Sequence, residues 1–234
     1  ICDRHGMKLI ADTAQGFGCT LRGQHPSDWA DIATTSFFPA KPLGCYGDGG
    51  AIITNDSALA ELIESLRVYG KVTPTDAAQR NFHHDPKYLS LRVGMNSRLD
   101  TIQAAILLEK LKIFADEIEK REAVAQRYTA AFAGKMRRAP KVIAGGQSVW
   151  AQYVIEHENR DGLQVHLTAS GLPSMVYYPV PIHQQDFAAR FAPPAGSLPV
   201  TETASRHVLA LPMHPYLPAA DQDRVIETVL GFNR

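Results

Sequence analysis

The sequence predicts an α/β protein: a mixed sheet, then one long helix, then a smaller α+β unit. Three observations carry this. The runs Lys8-Leu9-Ile10-Ala11, Asp31 to Phe37 and Gly50 to Thr54 are apolar or β-branched and are separated by Gly, Pro and Asp clusters, the pattern of a buried sheet with polar chemistry at its strand ends. From Arg98 to Phe132 the positions Leu107, Leu111, Phe114, Ile118, Ala125, Tyr128 and Phe132 recur at spacings of three, four or seven, one apolar stripe along a helix of many turns. Composition changes near residue 140, which divides the chain into a large unit, 1–133, and a small one, 134–234.

The elements follow in order. Cys2 to Ala11 reads as a passage from helix to strand, closed by Asp12. After the second and third strands a helix runs from Ser57 to Val68, with Asn55 or Asp56 as N-cap and Gly70 just past its end. Lys71 to Tyr88 holds Pro74, Asp76, Asn81, Asp85 and Pro86 with little periodicity and reads as a long exposed loop. On the long helix, Glu109, Lys110, Lys112, Asp116, Glu117, Glu119 and Lys120 read as a solvated face, and Gly134 and Pro140 end it. The small unit contains a strand from Val149 to Ile155, a helix from Leu163 to Ala169 closed by Gly171, and a strand from Ser174 to Tyr178. Helices at Thr201 to Leu209 and Ala220 to Leu230 follow, separated by Leu211 to Pro218.

Among 234 residues, 24 basic side chains balance 24 acidic ones, so no long-range field draws the chain to nucleic acid or an anionic membrane. No apolar run approaches the roughly 20 residues needed to cross a bilayer, and the first residues lack a signal-peptide pattern, so a cytoplasmic location is expected. Cys2, Cys19 and Cys45 match no zinc or disulfide framework and read as reduced structural thiols. The pair His83-His84 lies in the polar loop and reads as solvated rather than as a metal site. Ile1 begins inside an element, which reads as a fragment.

Lys41 follows an apolar strand and is hemmed by Pro39, Ala40 and Pro42, so little backbone freedom remains and its amine is partly desolvated, which favours the neutral form that attacks an aldehyde. By itself this is what many surface lysines beside turns look like. Asp12 adds a carboxylate at a strand end, of the kind that keeps a pyridine nitrogen protonated in pyridoxal 5'-phosphate (PLP) enzymes, although it serves equally as a cap for Thr13-Ala14-Gln15. Ser36 and Gly47-Asp48-Gly49-Gly50 offer donors to a phosphate, or simply a tight turn.

Together, Asp-x-x-Gln, then Ser-Phe-x-x-x-Lys, then Gly-Asp-Gly-Gly before a strand resembles the DegT/DnrJ/StrS family of PLP-dependent sugar aminotransferases. Ser36 through Ala51 looks most like the branch acting on UDP-linked 3-keto uronic acids. Arg92 to Asp100 with Ile102-Gln103-Ala104-Ala105 is similar to the segment that opens the family's long helix, and Tyr177-Tyr178-Pro179 with Pro181-Ile182-His183 to its substrate segment. The resemblance implies fold type I (aspartate aminotransferase-like) and a nucleotide-sugar substrate aminated from an amino-acid donor, glutamate, for surface polysaccharide. It implies that Asp12 meets the pyridine nitrogen, Gln15 the ring hydroxyl and Ser36 the phosphate, while Lys41 condenses with the cofactor aldehyde and shuttles protons. It further implies a homodimer with shared sites, in which Asn96 reaches the neighbouring subunit's phosphate and Arg98 its substrate, with Tyr177, Tyr178 and His183 also on the substrate. Without the resemblance, Asn96 reads as a helix N-cap and His183 as a structural hydrogen bond.

The family carries a further N-terminal stretch with a Gly-Thr phosphate cup and several strands, which is absent from these residues. The chain is then part of a longer one, or a truncated form with an incomplete site. Three alternatives stay open: amination at C4 of another nucleotide keto sugar, a related dehydratase (against which Lys41 argues, since a histidine replaces the lysine there), and a non-catalytic dimerising fragment.

Overall fold

The computed structural model describes residues 1–232. They divide into two compact units, residues 1–114 with 145–147, and 115–144 with 148 onward.

In the first unit a short helix α1 (Cys2–His5) precedes β1 (Ile10–Asp12), β2 (Thr20–Leu21), β3 (Ile32–Ser36) and β4 (Gly50–Ile53). The sheet order is β1-β3-β4: β1 runs parallel to β3, with Asp12 opposite Thr34, and β4 runs antiparallel, with Gly50 opposite Ser36. The β-branched run of β3 holds the centre, where Ala33 and Thr35 are buried. β2 pairs separately with β5 (Gly146–Gln147). Helix α2 (Ser57–Leu66) starts where the Asp56 carboxylate accepts from the Ala58 and Leu59 amides, which singles out Asp56 from the two expected caps.

Residues 71–88 are not the open loop expected. Helix α3 (Pro74–Gln79) forms within them, started by a capping box in which Thr73 and Asp76 serve each other's backbone amides.

The long helix is in two pieces, α4 (Thr101–Leu111) in the first unit and α5 (Phe114–Phe132), all but its first residue in the second. At the junction Lys112 and Ile113 donate to Glu109 and Lys110, the tightened i→i−3 bonds of a helix end. A regular stripe gives no sign of this break, because each piece keeps the same period while burying its face in a different core. The two compact units divide after Phe114, within the stretch assigned from sequence to the large unit, and Leu111 is 45% exposed although it lies on the stripe.

The second unit packs α5, α6 (Arg160–Ala169) and α8 (Ala219–Phe232) with the antiparallel pair β6 (Tyr153–Glu156) and β7 (Val208–Leu211). Tyr128, Phe132, Tyr153, Leu163, Leu167 and Val229 form its fully buried centre. Helix α7 (Pro199–His207) stops earlier than expected, since Val208 and Leu209 pair with Glu156 and Ile155 instead of continuing it. Ser174 to Tyr178 makes only the bridge Met175–Ala210, not a strand. No helix among the described residues is long and apolar enough to cross a membrane.

Candidate active site

Opposed residues on paired strands share a face and side chains alternate along each strand, so Asp12, Thr34 and Ser36 lie on one face of the β1–β3 pair, with Ala33 and Thr35 on the other. A carboxylate and a hydroxyl thus meet at the carboxyl ends of two parallel strands, the end at which open α/β sheets collect ligands. Asp12 is exposed, not at the end of a buried strand as expected, because β1 is an edge strand with Ile10 67% exposed beside it. Its Oδ1 accepts from the Ala14 amide at 3.0 Å, the capping role, while Oδ2 has no partner among the described residues. Gln15 is exposed in the turn that follows. Ser36 Oγ accepts from the Phe38 amide at 3.2 Å.

Lys41 lies on the loop that follows this strand end, after Phe37-Phe38-Pro39-Ala40. Its amide closes a turn onto the Phe38 carbonyl at 2.8 Å, and the chain returns so that Phe37 donates to Gly49 and Cys45 to Phe37, each at 2.8 Å. Leu43 and Cys45 are 2% and 1% exposed, so the loop is anchored just beyond the lysine. The Lys41 side chain is half-buried, and no hydrogen bond or ion pair among the described residues engages its amine. The glycines after it have a packing reason: a side chain at Gly50 would meet the Thr35 carbonyl oxygen at 2.8 Å. A free carboxylate oxygen and a hydroxyl on one face of a strand end, with an unpartnered amine on the loop that follows, are the group types that the ring nitrogen, phosphate and aldehyde of PLP require.

Asn96 and Arg98 line a cleft of about 890 Å³ with Thr34, Gly49, Gly50 and Arg67, a lining that does not include Asp12, Gln15, Ser36 or Lys41. Asn96 is not a helix cap, because α4 begins at Thr101 behind Asp100; its Oδ1 accepts from Arg98 Nε at 3.0 Å, and the guanidinium stands 5.9 Å from the Tyr69 ring. Backbone bonds hold the segment: Met95 donates to Leu66, Tyr69 to Met95 and Ser97 to Arg67, at 2.8, 3.0 and 2.9 Å.

Sequence reasoning missed the support beneath it. Arg92 makes a bidentate pair with Asp76, at 2.6 and 2.9 Å, and Thr73 donates to the same carboxylate. The Arg92 guanidinium, then the Thr73 amide, hold the Asp76 carboxyl well below the usual carboxylate range. Thr73-Pro74-Thr75-Asp76 has the form of a helix start, and that signal was legible.

In the second unit Tyr177 and Tyr178 line an apolar cleft of about 620 Å³ with Ile182, Thr201 and Ala204. His183 Nε2 lies 3.3 Å from Glu202 Oε1, both side chains 15% exposed, which is the structural bond that was the plain alternative for this histidine.

Residues 1–230 match the DegT/DnrJ/EryC1/StrS aminotransferase family. UDP-2-acetamido-2-deoxy-3-oxo-D-glucuronate aminotransferase of Pseudomonas aeruginosa is 43% identical over 220 residues, covering 94% of this chain and 57% of the relative. A DegT/DnrJ/EryC1/StrS aminotransferase structure from Brucella abortus superposes with a TM-score of 0.89 at 45% identity, covering 99% of this chain and 59% of that one. The structure of NtdA from Bacillus subtilis with bound cofactor PMP has a TM-score of 0.83 at 30% identity, covering 99% of this chain and 52% of that one. The chain therefore spans somewhat more than half the length of the proteins it matches.

Proposed function

The chain belongs to the DegT/DnrJ/EryC1/StrS aminotransferase family, and from that premise we propose that the whole protein is a fold type I enzyme that moves an amino group from glutamate to a UDP-linked 3-keto sugar. The 2-acetamido-3-keto-hexuronic acid is the substrate we favour, by likeness to the P. aeruginosa relative, in surface polysaccharide synthesis. Members of the family use PLP, and when bound its ring accepts the electrons released as a proton leaves the donor carbon.

The residues then divide the work. Asp12 Oδ2, the oxygen left free by the turn, accepts from the protonated ring nitrogen; a carboxylate there holds that proton in place. Gln15 meets the ring hydroxyl and Ser36 Oγ the phosphate. The Lys41 amine would hold the cofactor aldehyde and would carry the proton at the donor carbon, a task that suits an amine with no competing partner. In a homodimer Asn96 and Arg98 would serve the neighbouring subunit's phosphate and sugar nucleotide. Tyr177, Tyr178 and His183 contact the sugar nucleotide.

The observation that carries this reading is the shared face of Asp12 and Ser36 at the strand end that leads into Lys41. Borohydride reduction of the full-length protein with PLP, followed by peptide mass spectrometry, tests it. The expected result is a pyridoxyl group on Lys41 and none in Lys41→Ala. Labelling spread over other lysines, or persisting at full yield in Lys41→Ala, would overturn it.

A further inference from the structure

The loop that carries Lys41 is held from outside by one face of α4, and we infer that Gln103 and Lys110 are positioning residues for that lysine. The inference rests on Lys41 being the reactive amine. Within the loop Phe37 donates to Gly49, Lys41 to Phe38 and Cys45 to Phe37, while the Tyr46 amide and the Gly44 carbonyl are met by side chains of α4. Gln103 Oε1 accepts from the Tyr46 amide at 2.8 Å, and Lys110 Nζ donates to the Gly44 carbonyl.

These two side chains are seven residues apart, two helical turns, and so point the same way. Leu107, 5% exposed, lies between them on that face. Lys110 also stands 5.9 Å from the Tyr46 ring, so its ammonium has a carbonyl and a π-face as neighbours. It is therefore not part of the solvated face that its charged surroundings suggest. Holding a long lysine still costs side-chain entropy, and an apolar residue would pack this face without that cost. What a donor and an acceptor add is direction: they fix two backbone groups of the 44–46 segment at once. Lys41 lies three residues before Gly44, in a turn already closed onto Phe38. With both ends of its loop tied, the amine can swing only through its own side-chain torsions.

Cys45 reports on this brace without any cofactor. Its thiol is buried, with Sγ 3.0 Å from the carbonyls of Phe37 and Gly47, and reacts only when the loop opens. In the full chain, the iodoacetamide labelling rate of Cys45, read by peptide mass spectrometry against Cys19, should rise about fivefold in Gln103→Leu and at least about tenfold in Lys110→Met, as expected for losing a neutral and a charged hydrogen bond. Gln103→Glu keeps the acceptor and Lys110→Arg a donor, so both should stay protected; all variants are compared at equal far-UV ellipticity. The rate at which borohydride traps PLP on Lys41 should fall in the same two variants that expose Cys45.

Unchanged Cys45 protection in Gln103→Leu and Lys110→Met would overturn the brace. Faster Cys45 labelling with undiminished trapping at Lys41 would show a purely structural contact and overturn the positioning role. A wild-type protein that takes up no PLP at Lys41 would instead overturn the proposed function, and the Cys45 arm would still decide the brace.

Discussion

Gly70→Ala should destabilise the first unit well beyond what a left-handed glycine alone predicts. Gly70 has φ +72°, and a Cβ there would stand 1.9 Å from the Arg92 carbonyl oxygen; the facing Gly94 would place its own Cβ 2.2 Å from the Gly70 nitrogen. The two strands of backbone touch with no room for a methyl group, and no side chain can turn aside, because every atom in the way is main chain. A left-handed L-residue costs about 1–2 kcal/mol, and overpacking adds about 1–3 kcal/mol. The sum is about 2–5 kcal/mol, a large part of a typical domain's stability of about 5–15 kcal/mol.

Gly23→Ala is the control, since Gly23 has φ +79° and nothing within 4 Å of the added methyl in the same unit. Backbone strain and the lowered entropy of the unfolded chain are common to both variants, so their difference isolates the collision. Urea unfolding followed by circular dichroism should therefore place Gly70→Ala at least about 1 kcal/mol below Gly23→Ala. Equal losses would refute the close approach, and with it the account of how Asn96 and Arg98 are held.

Asp76→Asn should cost stability at neutral pH, and the gap should close in acid. The folded Asp76 carboxyl is held below its ordinary value, so its contribution is present above about pH 4 and is lost as pH falls through the folded value. A wild-type minus Asp76→Asn difference that stays constant from pH 7 down to the acid limit of the fold would contradict this. Leu167→Ala, at a position with 0% exposure in the second core, should lose about 2–5 kcal/mol in the same assay, and a loss under about 1 kcal/mol would mean that the α6 face is not packed as described.

Local signals in the sequence were enough for β1, β3, β4 and α2, and they are what single out Asp12, Ser36 and Lys41 as candidates. Each depends on a short run of residue types: a β-branched stretch, a carboxylate cap, a lysine among prolines. That Asp12 and Ser36 share a face is a matter of strand register, which two separate runs do not reveal. The break after Leu111 was hidden for a similar reason. Helical period records which residues are apolar, and the choice of core that each turn serves is made by contacts far along the chain.

The same limit explains the Asp76–Arg92 pair and the early end of α7, where Val208 and Leu209 form an apolar run compatible with either helix or strand until β6 supplies the partner. Class and family could be read directly from the residues, because both are written in residue type and short-range spacing. Which polar groups are engaged emerges only from the folded chain: Lys110 on Gly44, Arg92 on Asp76, and the amine of Lys41 on nothing among the described residues. Whether a charged side chain meets solvent, a carbonyl or a carboxylate depends on residues dozens of positions away, and no local pattern carries that information.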